Sequence, residues 1–368
     1  MKFIKKVLLL LFLSLILIPI NYTLASTDSN VYKAKVIEII NEEAKINEDG
    51  SSFVQQELLL EIIDNDKKGE EVVYNGISDI QVSNIDYYNK GDKVYLESYT
   101  DIDNNEVFYI SGIIRSQALL WLSLIFFLAV LIVGRFKGFK ALISLVLSFF
   151  VIIKFIIPAI LNGYNPFFVS LFGSLAILAL IIYITEGFRK KSHIAMLSIL
   201  ATLFITLVLS IIFIKLTRLT GLAQEETIFL INNGTVALNF TGLLLAGFII
   251  GSIGALDDIV VGQIESVEQI REANPSLSNK KVFNMSYKIG NTHLGAMINT
   301  LFLTYTGAAL PLLMLFVINS ESGIGFENFV NLEVVSTEIV RTLVGSIGLI
   351  ASMPIATFLA SYMTKRKS

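Results

Sequence analysis

The sequence predicts an all-α polytopic membrane bundle of seven transmembrane helices, preceded by a small extracytoplasmic β domain. Three observations carry that reading. Of 368 residues, 54% are hydrophobic and 16% charged, with a mean hydropathy of +0.69, which a water-soluble core does not need. Charge is segregated: residues 26–112 hold 19 acids and 7 lysines, whereas the chain from residue 113 onward holds 18 bases and 12 acids. The apolar pattern changes at the same place, from a period of two to stretches of about 20 residues or longer.

Residues 1–25 read as a secretory signal. Lys2, Lys5 and Lys6 precede a largely apolar run from Val7 to Ile20, and Thr23-Leu24-Ala25 supplies small residues where a peptidase reads. Fourteen residues are short for a span, so cleavage after Ala25 is expected, with retention as an anchor the alternative.

Residues 26–112 form the second segment. Alternation such as Val94 and Leu96 against Lys93, Tyr95 and Glu97 predicts strands. Turn residues around Gly50, at Asp64–Gly69, Asn75-Gly76, Asn89–Asp92 and Asp101–Asn105 separate four or five of them. So many short strands in so few residues suggest a small barrel, OB-like in size, because closure removes exposed edges. The acidic turn Asp101–Asn105 begins like a calcium loop. Its sixth position is Glu106 rather than Gly and its twelfth is Gly112 rather than Glu, so it reads as a solvated hairpin tip.

Residues 113–368 supply the spans: Ile113–Val133, Ala141–Leu161, Pro166–Thr185, Ile194–Ile214, Thr235–Leu256, Leu294–Asn319 and Thr342–Met363. Basic residues cluster after the first, third, fifth and seventh, at Arg135–Lys140, Arg189–Lys191, Arg271–Lys288 and Lys365–Lys367. Cytoplasmic loops retain Lys and Arg, so the mature N-terminus and the β domain are placed outside and the C-terminus inside. Outside these short clusters no basic surface suits nucleic acid.

Zero Cys excludes disulfides and thiolate chemistry, and no zincin, hydrolase-elbow or P-loop motif occurs, so a non-enzymatic protein without cofactor is expected. His193 and His293 form no recognisable metal motif, and the metal question stays open. Polar groups within spans are the functional candidates, because hydrocarbon makes them costly. Lys154 and Arg341 fall near the outer interface, where snorkelling accounts for them.

The fifth span ends Gly247-Phe248-Ile249-Ile250-Gly251-Ser252-Ile253-Gly254-Ala255-Leu256-Asp257-Asp258. Gly247, Gly251 and Gly254 admit a close helix, as Gly345 and Gly348 do in the seventh. Adjacent acids project ~100° apart, so the two cannot face one partner. That geometry excludes an aspartyl-protease dyad, and Gly254-Ala255-Leu256-Asp257 also lacks the Gly-x-Gly-Asp spacing of intramembrane proteases. From Ile259 to Ala273 an amphipathic pattern suggests an inner interfacial segment. In the sixth span Asn291, Gly295, Asn299 and Thr306 recur on one stripe, Tyr305 adjoins them, and Gly307 and Pro311 interrupt the helix. Interrupted spans build ion and substrate sites in transporters, although polar residues also glue helices together.

Further stretches carry a resemblance: Gly91-Asp92-Lys93-Val94, Gly134-Arg135-Phe136-Lys137-Gly138, Gly163-Tyr164-Asn165-Pro166, Gly254 to Ile259, Asn299-Thr300-Leu301, Tyr305-Thr306-Gly307, Leu310-Pro311, and Arg341 to Gly348 with Pro354. The chain resembles the YibE/F-like family of bacterial multi-span membrane proteins over nearly everything after the signal. The resemblance implies the topology and a bacterial plasma-membrane location, and it carries no established activity. Its pattern of a Gly-Ala pair followed by one Asp falls on Asp258, which leaves Asp257 as an extra acid.

Two functions follow as expectations. The first is a permease for a small solute or ion, with Asp258 as the coupling carboxylate and Asn291, Asn299 and Tyr305 along the path. The second is an interaction protein whose external β domain binds an envelope partner while the bundle, alone or as a homo-oligomer in the lipid bilayer, anchors it. The orientation is checked in the cysteine-free chain: Asn105→Cys should react with an impermeant thiol probe on intact cells and Ser278→Cys should not. Labelling of the second would overturn it.

Overall fold

The computed structural model describes residues 30–46, 52–64, 66–77, 87–100, 106–232, 238–320 and 325–364. The signal segment, the acidic turn Asp101–Asn105 and the basic tail Lys365–Lys367 lie outside them. The chain divides into two compact units at Ala129/Val130.

The first unit is built on five antiparallel strands: β1 (Asn30–Ile46), β2 (Ser52–Ile62), β3 (Glu71–Asn75), β4 (Lys93–Thr100) and β5 (Glu106–Ile113). Their order across the sheet is β3-β2-β1-β4-β5. The long β1 makes this possible, since Asn30–Lys35 pairs with β4 while Ala34–Ile46 pairs with β2. Irregularities at Val36/Glu38 and Ile39/Asn41 bend β1, and bulged strands curl a sheet. The result is a half-barrel whose edge strands β3 and β5 approach each other. Alternate residues fill it: Tyr32, Ala34 and Val36 meet Leu58, Leu60 and Ile62 from one side and Val94 and Leu96 from the other. Lys67, in the β2–β3 turn, forms an ion pair with Glu106 of β5 and lies 5.4 Å and 5.3 Å from the rings of Tyr32 and Phe108.

The second unit is helical, and the helix that leads into it begins at Ser116, within the first unit. In chain order the helices are α1 (Ser116–Val151), which passes through a π turn at Ile152–Ile156 into α2 (Ile157–Leu161), then α3 (Pro166–Thr185), α4 (Lys190–Leu216), α5 (Glu225–Asn232), α6 (Phe240–Ala273), α7 (Asn279–Ala308), α8 (Leu310–Ser320), α9 (Phe326–Val330) and α10 (Glu333–Met363). Their starts follow from local sequence. Asn165 caps α3 ahead of Pro166, Asn239 accepts from Gly242 N–H at the head of α6, and Ser278 caps α7.

Among the described residues, five helices are long and apolar enough to cross a membrane, or six when α7 and α8, bent by 63° at a short break, count as one span. The sequence count of seven divides Ser116–Leu161 in two. At Arg135 that helix leaves helical geometry (φ 47°, ψ −128°), and a Cβ on Gly138 would overlap the carbonyl oxygen of Val130, eight residues earlier. In a straight helix those residues stand ~12 Å apart, so the chain turns sharply here. The amphipathic stretch Ile259–Ala273 belongs without interruption to the same helix, α6, as the fifth span and packs through Val260, Ile264 and Val267.

α10 is the common neighbour of α4, α6 and α7, and α6 also packs on α3 and α4. One close approach is between α10 and α4, where a Cβ at Gly348 would overlap Thr206 Oγ1. Thr206 belongs to a buried column of Ser198, Thr202, Thr206 and Ser210, each hydroxyl donating to the carbonyl four residues back. Small, self-satisfied polar residues let two backbones approach without leaving a donor in hydrocarbon.

Gly348→Ala should therefore destabilise the helical unit by ~1–3 kcal/mol through overpacking, and Thr206→Ala in the same chain should restore much of the loss. Thermal unfolding in detergent measures both, and an unaltered Gly348→Ala would contradict the packing. In the β unit, the hydrogen bond from Lys67 lowers the pKa of Glu106 and raises that of Lys67. The lowered carboxyl contributes stability above its ordinary value of 4.5 and loses it as pH falls. The raised ammonium contributes below 10.5 and loses it as pH rises. Hydrogen exchange in β5 should thus quicken on acidification below 4.5 in the wild type, and Lys67→Met should blunt that dependence.

Candidate functional site

Charged and polar side chains inside the helical unit gather in two places. The first lies on α6 and the helices beside it. Lys191, at the head of α4, is ion-paired with Glu265 (2.8 Å), Glu186 (2.9 Å) and Glu268 (3.5 Å), with 11% of its side chain exposed. Gln263 of α6 is buried and donates to Ser286 O (2.7 Å) and Ser286 Oγ (2.8 Å) of α7, and Gly290 leaves it room. Arg271, also buried, donates to Leu277 O, Asn279 Oδ1 and Ser361 O, which ties the α6–α7 turn to α10.

About one and a half turns before Gln263 stand the adjacent acids, which the structure treats differently. Asp258 is exposed, whereas Oδ1 of Asp257 is shut off from solvent and has no hydrogen-bond partner among the described residues. Asp258, expected as the coupling carboxylate, is thus the more exposed of the two. The reason is the phase of α6, which buries Leu256, Ile259, Val260 and Gln263 and brings Asp257 to the margin of that face. Both acids also lie well inside the helix, with Ala273 fifteen residues beyond Asp258, rather than at its end.

The second place is around the start of α10. Arg341 Nη1 donates to Glu338 Oε1 at 2.8 Å, and the guanidinium stands 5.3 Å over the Phe248 ring. Arg341 keeps 22% of its side chain exposed. A narrow cavity beside it is lined by Ser210, Gly251, Ser252, Tyr305 and Gly345. Tyr305 and Glu338 also line an apolar cavity of about 290 Å³ between α7, α8, α9 and α10. Arg341 borders a third, of about 90 Å³, with Gln224, Thr227, Gly247 and Thr337. Each of the three cavities is thus lined by one or two of Arg341, Glu338 and Tyr305.

The predicted α7 stripe does not converge there as a unit. Tyr305 is half-buried, its hydroxyl 3.6 Å from where a Cβ of Gly251 would stand, while Asn291, Gly295 and Asn299 are exposed. Gly307 and Pro311 flank the break, which falls at Ala309. Of the glycines chosen for packing, Gly348 and Gly345 sit against Thr206 and Leu301, and Gly251 faces Tyr305; Gly247 and Gly254 have nothing within 4 Å of an added Cβ. His193 shares a 2.8 Å hydrogen bond with Tyr183, and among the described residues no group of three or more His, Cys, Asp or Glu could hold a metal ion. The Glu338/Arg341 pair was missed from sequence, although its i,i+3 spacing is a legible ion-pair signal.

A family model described as YibE/F-like protein matches residues 122–366. No curated protein and no solved structure matches the chain.

Proposed function

The chain belongs to the YibE/F-like family, a multi-pass membrane protein by its apolar helices, and from its helical unit we propose that it is a permease for a small solute or ion. The observation that carries this reading is the buried, unpartnered oxygen of Asp257, which follows the apolar stretch Phe240–Leu256 of α6. An isolated carboxylate oxygen in low dielectric calls for a proton or a cation, and a carboxylate that takes and releases one is how secondary transporters couple a gradient to a solute. The bent pair α7–α8 and the three cavities at Arg341, Glu338 and Tyr305 supply the irregular backbone and the open volume that such a path needs.

In this reading Asp257 is the coupling group, and its exposed neighbour Asp258 is the group through which the ion arrives. The turn at Arg135 makes two crossings of Ser116–Leu161, for seven in all, with the C-terminus on the cytoplasmic side of a bacterial plasma membrane and the β unit, an OB-like barrel by its strand order, outside. The protein performs no covalent chemistry. The competing reading, an anchor for an envelope-binding β domain, draws support from the separate core of that domain, but leaves a buried carboxylate without a role.

Proteoliposomes on a solid-supported membrane test this without a known solute. A proton or sodium jump should displace charge in the wild type, Asp257→Asn should abolish the signal with folding intact, and Asp258→Asn should weaken it. Wild-type currents from Asp257→Asn would refute the coupling assignment.

A further inference from the structure

Arg341 is under-used by the partners it has. A guanidinium carries five N–H donors in a rigid fork, and Glu338 accepts from Nη1 alone. Nε is closed to solvent and has no hydrogen-bond partner among the described residues. The Phe248 face below the plane offers attraction but no acceptor for an in-plane N–H. A buried donor left open is costly, which is the condition under which an outside acceptor binds.

The cavity of about 90 Å³ that Arg341 borders is built for such an acceptor. Its polar lining side chains are Gln224, Thr227, Thr337 and Arg341, and no carboxylate lines it; the Thr227 hydroxyl donates to Gly221 O over a long 3.5 Å and turns from it to serve an anion. Thr227 and Thr337 are themselves buried, at 4% and 3% exposure. Glu333, at the head of α10, accepts from Thr220 Oγ1 and from the backbone N–H groups of Thr220 and Gly221, in the loop that borders the cavity. Those bonds fix the loop, and Gly221 is required there because its φ is +80° and a Cβ would overlap the carbonyl of Phe240. The volume holds a few waters or one small polyatomic ion. One cation, two buried hydroxyls and an amide, with no carboxylate in the lining, make an oxyanion site rather than a cation site.

We propose that this cavity binds an oxyanion group, phosphate-like or carboxylate, held by Arg341 with Thr227, Thr337 and Gln224. The inference names the solute class of the permease and rests on that reading only for the step from binding to passage. The group has two sources, a free solute or the phosphate of an anionic lipid.

The test uses the full chain in phosphatidylcholine nanodiscs, titrated calorimetrically with inorganic phosphate, sulfate or acetate at constant ionic strength. Saturable binding of at least one is expected. Arg341→Gln should weaken it roughly tenfold or more, as loss of a charge-assisted hydrogen bond does. Thr337→Val should weaken it about threefold, a neutral hydrogen bond's share. Should Arg341→Gln not fold, Arg341→Lys and Thr337→Val carry the test, since Lys keeps the charge but loses the fork. Where no free anion binds, retention of phosphatidylglycerol through purification, lost in the Arg341 and Thr337 variants, supports the lipid source. Absence of both, or binding indifferent to these substitutions, overturns the site. Anion binding without charge movement in the proteoliposome assay would leave the site standing and remove the permease reading. Charge movement without anion binding would do the reverse.

Discussion

The helical unit depends on one close approach, that of α10 to α4 at Gly348 and Thr206. Hydrocarbon gives helices no hydrophobic reason to associate, so contact area must come from backbones that can come near one another. Thr206 and the other members of its column satisfy themselves within α4, which lets that face be polar in composition and still dry. With α10 seated on α4, its other faces meet α6 and α7, and the Glu338/Arg341 pair is carried into the region where those helices meet. A bulkier residue at 348 would therefore disturb the polar centre nearly two turns earlier in α10, although it touches none of its members.

Much of this architecture is legible in the sequence because the governing signals are coarse. Apolar stretches give helices, and the alternation of Val94 and Leu96 gives strands whose inward faces the structure shows. Phase within a helix is finer information. Whether Asp257 or Asp258 turns inward depends on which neighbours α6 meets, and a single sequence states the ~100° between them without stating the origin of the angle. The same limit explains α7. Its polar stripe is real as a pattern, but packing uses Val282, Ser286 and Gly290, with Tyr305 reaching the interior beyond them, and leaves Asn291 and Asn299 uncovered.

Two further features were hidden for different reasons. The turn at Arg135 belongs to a non-glycine residue at positive φ, which composition does not announce because glycines at 134 and 138 are the expected hinge. The continuity of α6 past Asp258 was obscured by a change from apolar to amphipathic pattern. That change marks a passage to more polar surroundings, not the end of the helix.

The three bonds of Arg271 have a mechanical consequence. They fasten the α6–α7 turn to α10, and Lys191 fastens α4 to α6, so the helices near this end are cross-braced by charge-assisted contacts. Toward the other end of α7 the bracing gives way to a broken helix and a wide apolar gap. A helix held at one end and broken at the other bends as a cantilever, with displacement growing along its length. Small strains near the clamp become large excursions at the free tips, so whatever shape change this protein undergoes will be greatest around α8 and α9 and least at the turn that Arg271 holds.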